Sequence, residues 1–287
     1  MGNATDEQTI LTAAEVANYS VCPEAWRLKI GSGSRVVPSE RTFQARQLRK
    51  EWAEKQDLLR TLRRYARVSY LLLFALAAVA FVFEKRWALI ERRISAAGVA
   101  EAGGKIPDEI TALLLILGLV IFIWDLLERR SRRLRQTSGL SETATPVSVQ
   151  GSSSLPAREY HSTTLGVTSK PAAVVREEGR AIPLDIYPLA RKVRDRHIVP
   201  LLVHMRSMSE SDGHTPPYGV LLMGPNQRRV KVMNNPAKQR WLEVLVDEMR
   251  SILAGAPAAP APVLQKCRSC DVRDRCAYSA WRPAIAD

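Results

Sequence analysis

The sequence predicts an α/β protein into which a two-helix membrane hairpin is inserted. Three observations lead to this fold class: clustered cysteines near the end of the chain, two uncharged apolar runs in its first half, and short strand-like segments after residue 160. The chain has 287 residues and a formal net charge of +13. This length exceeds that of one average domain, so the chain can hold both an α/β core and an inserted segment.

The N-terminal segment predicts a short helix that ends at a cysteine. Thr12 and Glu15 have the spacing of a capping box, in which the two side chains satisfy backbone N–H groups reciprocally. Cys22 follows at the expected end of this helix. Residues 39–67 contain neither glycine nor proline and predict one further helix. The polar first 20 residues do not predict a cleavable signal peptide.

Two apolar runs predict the membrane hairpin. Residues 69–83 and 110–124 are uncharged runs of 15 residues each. A transmembrane helix needs about 20 predominantly apolar residues, with about 17 as a lower limit. Extension into the flanking residues gives predicted spans at 66–84 and 108–126. The alternative is a buried helical hairpin in a soluble domain.

The charges around the two runs follow the positive-inside pattern of membrane proteins. Residues 41–67 carry nine Lys or Arg against three acids, and residues 128–154 carry five against two. The loop between the runs, residues 84–109, balances five bases against five acids. The pattern predicts a multi-pass membrane protein with two spans and with both termini in the cytoplasm, where thiols stay reduced. Membrane lipids are the expected partners of the basic flanks.

The rest of the chain predicts a linker followed by alternating strands and helices. Residues 137–159 are rich in Ser, Thr, Gly and Pro and predict a flexible linker. Order is expected to resume near Tyr160. The predicted strands lie in 163–169, 171–175, 181–187, 218–224 and 228–233, and the predicted helices in 189–208 and 236–255. The predicted domains are 1–57 (helical part with the first cysteine), 58–136 (hairpin), 137–159 (linker) and 160–287 (α/β core with the last three cysteines).

Four cysteines form the most specific motif in the sequence. Cys267, Cys270 and Cys276 have the spacing C-x2-C-x5-C, and Cys22 is 245 residues upstream of Cys267. A site that uses all four must therefore join the two ends of the chain. Two disulfides would need an oxidising compartment, and zinc ribbons usually pair two C-x2-C knuckles. Iron–sulfur clusters accept looser spacings and a distant ligand, so an iron–sulfur cluster is favoured, with zinc and disulfides left as alternatives.

These motifs, in this order, are similar to those of a known family. The chain resembles the iron–sulfur RecB-type nucleases, the CRISPR-associated exonuclease branch of the PD-(D/E)XK superfamily. The resemblance rests on LTAAEVANYSVCPEAWRL (11–28), on LGVTSKPAAVV (165–175) and IPLDIYP (182–188), and on KCRSCDVRDRC (266–276). It implies a restriction-endonuclease-like α/β core whose ends are tied together by a [4Fe-4S] cluster. The implied cluster ligands are Cys22, Cys267, Cys270 and Cys276.

The sequence departs from this family at the residues that carry the chemistry. The family's metal-binding Asp, on its first active strand, is replaced here by Ala172. On the second strand the acid is retained as Asp185, but the catalytic Lys is replaced by Tyr187. The family's His has no counterpart in residues 45–52, and its Gln is replaced by Ile198 or Val199.

These losses predict a catalytically inactive protein. Mg²⁺ or Mn²⁺ in such a site is held by carboxylates and substrate oxygens, and Asp185 alone is a poor ligand set. Tyr187 is neutral near pH 7 and cannot replace the charge of Lys, although Lys170 or Lys192 could have migrated to the site. The four histidines show no metal-ligand spacing and are expected to be structural or exposed, whereas the basic face at Arg191, Lys192, Arg194 and Arg196 could contact phosphate.

The sequence therefore predicts a membrane-anchored, iron–sulfur, nuclease-like protein that binds DNA, RNA or a protein partner. Residues 155–287 carry 20 bases against 13 acids, which is compatible with a nucleic-acid surface. Two alternatives remain. One is a membrane-tethered DNA exonuclease or endonuclease that uses Asp185 with Mg²⁺ or Mn²⁺, and the other is an iron–sulfur redox protein. The sequence does not indicate an oligomeric state.

Overall fold

The computed structural model describes residues 10–31, 40–96, 108–141 and 143–281. The chain forms two compact units, residues 1–54 with 138–287 and residues 55–137. The described helices are α1 (Ala13–Val21), α2 (Pro23–Gly31), α3 (Glu40–Ala96), α4 (Asp108–Thr137), α5 (Asp195–Asp212), α6 (Pro236–Leu253) and α7 (Leu264–Arg268). The described strands are β1 (Leu11–Thr12), β2 (Thr145–Val149), β3 (Tyr160–Ser162), β4 (Val167–Ser169), β5 (Ala173–Glu177), β6 (Arg180–Tyr187), β7 (Tyr218–Met223) and β8 (Arg228–Met233).

The first unit is built on a mixed five-stranded sheet with the strand order β2-β5-β6-β7-β8. Strand β5 runs antiparallel to both of its neighbours, β2 and β6. Strand β7 is parallel to β6, and α5 supplies the crossover that a parallel pair requires. Strand β8 returns as a hairpin on β7. The mixed sheet and its helices confirm the predicted α/β class.

Both faces of β6 are covered, and its side chains alternate between them. Leu184 and Ile186 pack in a buried cluster with Trp52 of α3. Asp185 and Tyr187 point to the opposite face, which α5 covers. A smaller sheet, β1-β4-β3, lies against the other side of α5, and α1 and α6 complete this apolar cluster. Strand β6 is therefore the central element that carries the candidate site.

The N-terminal helix begins as the sequence predicts. The Glu15 N–H donates to Thr12 Oγ1 at 3.2 Å, and the Thr12 N–H donates to Glu15 Oε2 at 2.7 Å. The capping box is confirmed, and α1 ends at Val21, one residue before Cys22. Val16 and Tyr19 are buried on one face of α1, and the Tyr19 hydroxyl donates to Glu248 of α6 at 2.9 Å.

The segment expected to be a flexible linker, residues 137–159, contains strand β2. Thr145–Val149 pairs with β5 at the edge of the main sheet, and Ser138 and Val149 are buried. Gly139 has φ +66°, and a Cβ there would lie 2.6 Å from the Gln227 carbonyl oxygen. Composition alone suggested a linker, whereas the pairing of β2 with β5 and this close backbone approach give the segment an ordered place in the sheet unit.

The predicted membrane spans at 66–84 and 108–126 are wrong. The first falls within α3, which continues to Ala96, and the second falls within α4. Across the described residues, none of the helices combines the length and the apolar character that crossing a membrane demands. Each apolar run has only 15 residues, below the requirement of about 20, and both helices reach their full length by continuing into charged sequence. The predicted localisation as a two-span membrane protein is wrong for the same reason.

The second unit consists of the remainder of α3 together with α4. Leu59, Leu62 and Ser131 are buried. Arg63, Tyr70 and Trp124 line a shallow concavity between these two helices. Large exposed apolar side chains occur on both helices, including Leu71, Phe74, Phe81, Leu115, Leu119 and Phe122.

Candidate functional site

Ala172 and Asp185, the two positions that the sequence singled out on separate strands, meet in the structure. The Ala172 N–H donates to Asp185 Oδ1 at 3.2 Å. The register explains this contact: β5 begins at Ala173 opposite Leu184, so Ala172 lies beside the next residue of β6. The position at which the resemblance places a metal-binding carboxylate therefore contacts Asp185 through the backbone N–H of an alanine.

Asp185 is buried and paired with His204 of α5. His204 Nε2 lies 3.2 Å from Asp185 Oδ2, and the two residues are 3% and 7% exposed. Burial acts to raise the pKa of Asp185, but the charge and hydrogen bond of His204, the Ala172 N–H and the charge of Arg49 together lower it. The carboxylate is therefore ionised at neutral pH, with both of its oxygens already engaged by protein groups.

His204 is the residue of this centre that the sequence analysis missed, because it assigned all four histidines to structural or exposed positions. His197 and His204 are seven residues apart and therefore lie on one face of α5. Both are buried, and both face β6: His204 contacts Asp185, and the ring of His197 lies 4.5 Å from that of Tyr187, centroid to centroid. The seven-residue spacing on an otherwise apolar helix face was the signal available in the sequence.

Arg49 of α3 reaches the same end of β6. Its Nε donates to the Ile186 carbonyl oxygen at 3.0 Å, and its guanidinium carbon lies 5.9 Å from the centre of the Tyr187 ring. Residues 45–52 contain no counterpart of the family's His, but they contribute this arginine instead. Burial, and next the charge of Asp185, raise the pKa of Tyr187, so its hydroxyl stays protonated.

Neither of the two lysines proposed as migrated catalytic residues is buried with Asp185. Lys170 and Lys192 are both exposed. The contacts of Asp185 are instead with His204 and Ala172. The basic residues Arg191, Arg194 and Arg196 are also exposed, as expected for a solvated face at the start of α5.

The buried ring of His197 predicts a pH dependence of stability. Burial, followed by the charges of Arg196 and Arg194, lowers the pKa of His197 to about 4 from its usual 6.5. Below pH 6.5 the unfolded chain takes up a proton that the folded protein refuses, so stability falls as the pH drops from 6.5 to about 4. We expect a loss of about 2–3 kcal/mol over this window in urea unfolding followed by circular dichroism.

The matched variant is His197→Phe, which keeps an aromatic ring against Tyr187 and cannot titrate. Its stability should be flatter than that of the wild type over the same window. Asp185 and Glu177, whose pKa values are lowered, contribute to acid unfolding at still lower pH and should do so equally in both proteins. Parallel pH profiles for the two proteins would contradict this assignment.

The two ends of the chain lie against each other near the cysteines. Lys266 Nζ donates to the Val21 carbonyl oxygen at 3.0 Å, and Lys29 Nζ lies 3.0 Å from Asp271 Oδ2. Burial raises the pKa of the Cys270 thiol. Contact between the ends, which a shared site requires, is therefore present.

A complete metal site is not formed by these thiols. All four cysteines are partly buried and unpaired by disulfides. Within the described ranges, no group of three or more His, Cys, Asp or Glu side chains has an arrangement that could hold a metal ion. The structure thus brings the chain ends together without gathering the four sulfurs into a ligand set. The iron–sulfur cluster remains a prediction from the motif.

Comparison with known proteins gives no match to a protein-family model and no match among curated proteins. The resemblance to iron–sulfur RecB-type nucleases therefore remains a prediction that rests on the quoted motifs.

Proposed function

We propose that this protein is a catalytically inactive PD-(D/E)XK nuclease-like protein that binds nucleic acid. The observation that carries the proposal is the contact between Ala172 and Asp185. A nuclease of this type needs a metal held by carboxylates from two adjacent strands. Here the two strands are adjacent, but only one of the two positions has a carboxylate.

The surroundings of Asp185 support the inactive assignment. A catalytic carboxylate must keep lone pairs free for the metal and for water. Both oxygens of Asp185 are instead occupied, one by His204 and the other by the Ala172 N–H. The position of the catalytic lysine holds Tyr187, whose raised pKa keeps it uncharged. The pairing gives Asp185 the role of a buried structural charge.

The order of the elements also supports the nuclease-like part of the proposal. In the main sheet, the antiparallel strands β2, β5 and β6 are followed by the crossover helix α5 and the parallel strand β7, and β3 and β4 of the smaller sheet lie between β2 and β5 in the chain. The resemblance implies a core of this kind, with its active residues at the start of one strand and on the next. Fold similarity does not by itself assign a function, so the proposal depends on the site.

The metal part of this proposal is tested by Mn²⁺ binding, measured from the electron paramagnetic resonance signal of free Mn²⁺. The wild type and Asp185→Asn should bind the same amount of Mn²⁺, because Asp185 already has its partners. A Mn²⁺ site that is present in the wild type and absent in Asp185→Asn would overturn the proposal. Asp195→Asn, which removes an exposed acid near the start of α5, is the matched control for loss of a carboxylate.

We also propose that Cys22, Cys267, Cys270 and Cys276 hold a [4Fe-4S] cluster that fixes the contact between the chain ends. Four thiolates suit this cofactor, which would here act as a structural link. Anaerobically purified protein should contain iron and sulfide and absorb visible light, and Cys22→Ser should lose all three properties. Zinc, or no metal, in the wild-type protein would contradict the proposal.

A further inference from the structure

The C-terminal end of β6 is surrounded by arginine side chains. Arg49 lies over the Tyr187 ring, and the His197 ring, tilted against that of Tyr187, accepts a hydrogen bond from Arg196 Nε at 3.2 Å and lies three residues after Arg194. Arg49 contacts the Tyr187 ring directly, and Arg196 is linked to it through His197. Arg49 belongs to α3 and Arg196 to α5, and Arg194 directly precedes α5.

The positive charge at this place is poorly compensated. The carboxylate of Asp185 belongs to this site, but it is buried, and its two oxygens already contact His204 Nε2 and the Ala172 N–H. Asp195 is exposed beside the arginines in sequence and offsets one of their charges. Among the ion pairs of the described residues, none includes Arg49, Arg194 or Arg196. The site therefore favours an anionic ligand.

The position and orientation of Arg49 suit contact with a phosphate group. Its Nε is fixed by the Ile186 carbonyl oxygen, which holds the planar group at the end of the strand. The terminal nitrogens are then the remaining donors, and a guanidinium group matches the geometry of phosphate oxygens. Strands β6 and β7 are parallel, and ligands of α/β sheets commonly bind beyond the carboxyl ends of such strands.

We infer that Arg49, Arg194 and Arg196 bind the phosphates of nucleic acid without a metal ion. Tyr187 is half-buried, and its ring contacts both Arg49 and His197, so it helps to hold the cationic groups in place. This inference rests on the proposed function and specifies its ligand and its binding residues. The arginines take over the attraction for phosphate that a metal ion supplies in an active nuclease.

The test is fluorescence anisotropy of labelled single-stranded DNA and RNA oligonucleotides with the full chain in EDTA. The wild type should bind, and Arg49→Gln and Arg196→Gln should each weaken binding about tenfold, the effect of one lost charge-assisted contact. Each variant should also reduce the slope of log affinity against log salt by about one. The control is Arg180→Gln, which removes an exposed arginine at the other end of β6 and should change binding little.

Each outcome separates this inference from the proposed function. Equal binding by Arg49→Gln and Arg180→Gln would overturn the inference while leaving nucleic-acid binding intact. Binding that requires Mg²⁺ would also overturn it. No binding by the wild type would remove the nucleic-acid half of the proposal as well, but not the absence of a metal site at Asp185. Arg49→Lys, which keeps the charge, and a thermal unfolding curve for each variant exclude loss of fold as the cause.

Discussion

Replacing Asp185 with alanine is expected to lower the free energy of unfolding by about 2–6 kcal/mol at neutral pH, because each of the two buried donors that lose their acceptor costs about 1–3 kcal/mol. The carboxylate accepts from the Ala172 N–H and lies 3.2 Å from His204 Nε2. Removal leaves an imidazole and a backbone N–H without an acceptor in the interior. Urea unfolding of the wild type and Asp185→Ala, followed by circular dichroism, measures the difference.

Two comparisons make this result specific to the pair. Asp185→Leu combined with His204→Leu removes both partners and should recover much of the lost stability, because replacing both members of a buried hydrogen-bonded pair by apolar residues can be nearly neutral. Asp195→Ala, an exposed acid on α5, should change stability by less than about 0.5 kcal/mol. Active-site carboxylates are often kept at the expense of stability, so a stabilising Asp185→Ala would instead indicate a ligand site.

Replacing Trp52 with alanine is expected to lower the free energy of unfolding by about 3–5 kcal/mol, as for other large buried aromatic residues. Trp52 is 1% exposed and packs against the face of the main sheet that carries Leu184 and Ile186. Its Nε1 also donates to the Ser138 carbonyl oxygen at 3.1 Å. The substitution therefore removes both a large apolar contact and a buried hydrogen bond.

The matched control for Trp52→Ala is Leu48→Ala, one turn earlier on the same helix. Leu48 is 38% exposed, so its truncation should cost about 1 kcal/mol or less. Guanidinium chloride unfolding, followed by tryptophan fluorescence of the remaining indoles and by circular dichroism, compares the two. Equal losses would mean that this part of α3 does not pack on the sheet as described.

The elements that the sequence predicts well are those determined by local signals. The capping box of Thr12 and Glu15 fixes where α1 begins, and the hairpin around 224–227 follows from two strand-like runs separated by turn residues. The order of strands and helices after residue 160 also follows from local periodicity. These signals need only neighbouring residues, so one sequence is enough to read them.

The candidate site was only partly predictable because its contacts cross between elements. Asp185 and Ala172 could be named from the motifs, but the partnership of Asp185 with His204 depends on how the α5 crossover returns over the sheet. Arg49 is in a basic stretch that suggested a helix leading to a membrane, and its contact with Ile186 depends on how α3 packs on the sheet. The prediction of membrane spans was wrong for a different reason. Each apolar run has 15 residues, and the prediction lengthened it into flanking residues that are not apolar enough for a span.

The central claim, that this nuclease-like site does not cleave nucleic acid, is tested most directly by a cleavage assay. Single- and double-stranded DNA and RNA would be incubated with the full chain and either Mg²⁺ or Mn²⁺, beside Asp185→Asn purified in parallel, and the products resolved by gel electrophoresis. The structure predicts no cleavage by the wild type above that of the variant. Metal-dependent cleavage that Asp185→Asn abolishes would contradict it, and would show that Asp185 leaves His204 to bind a metal.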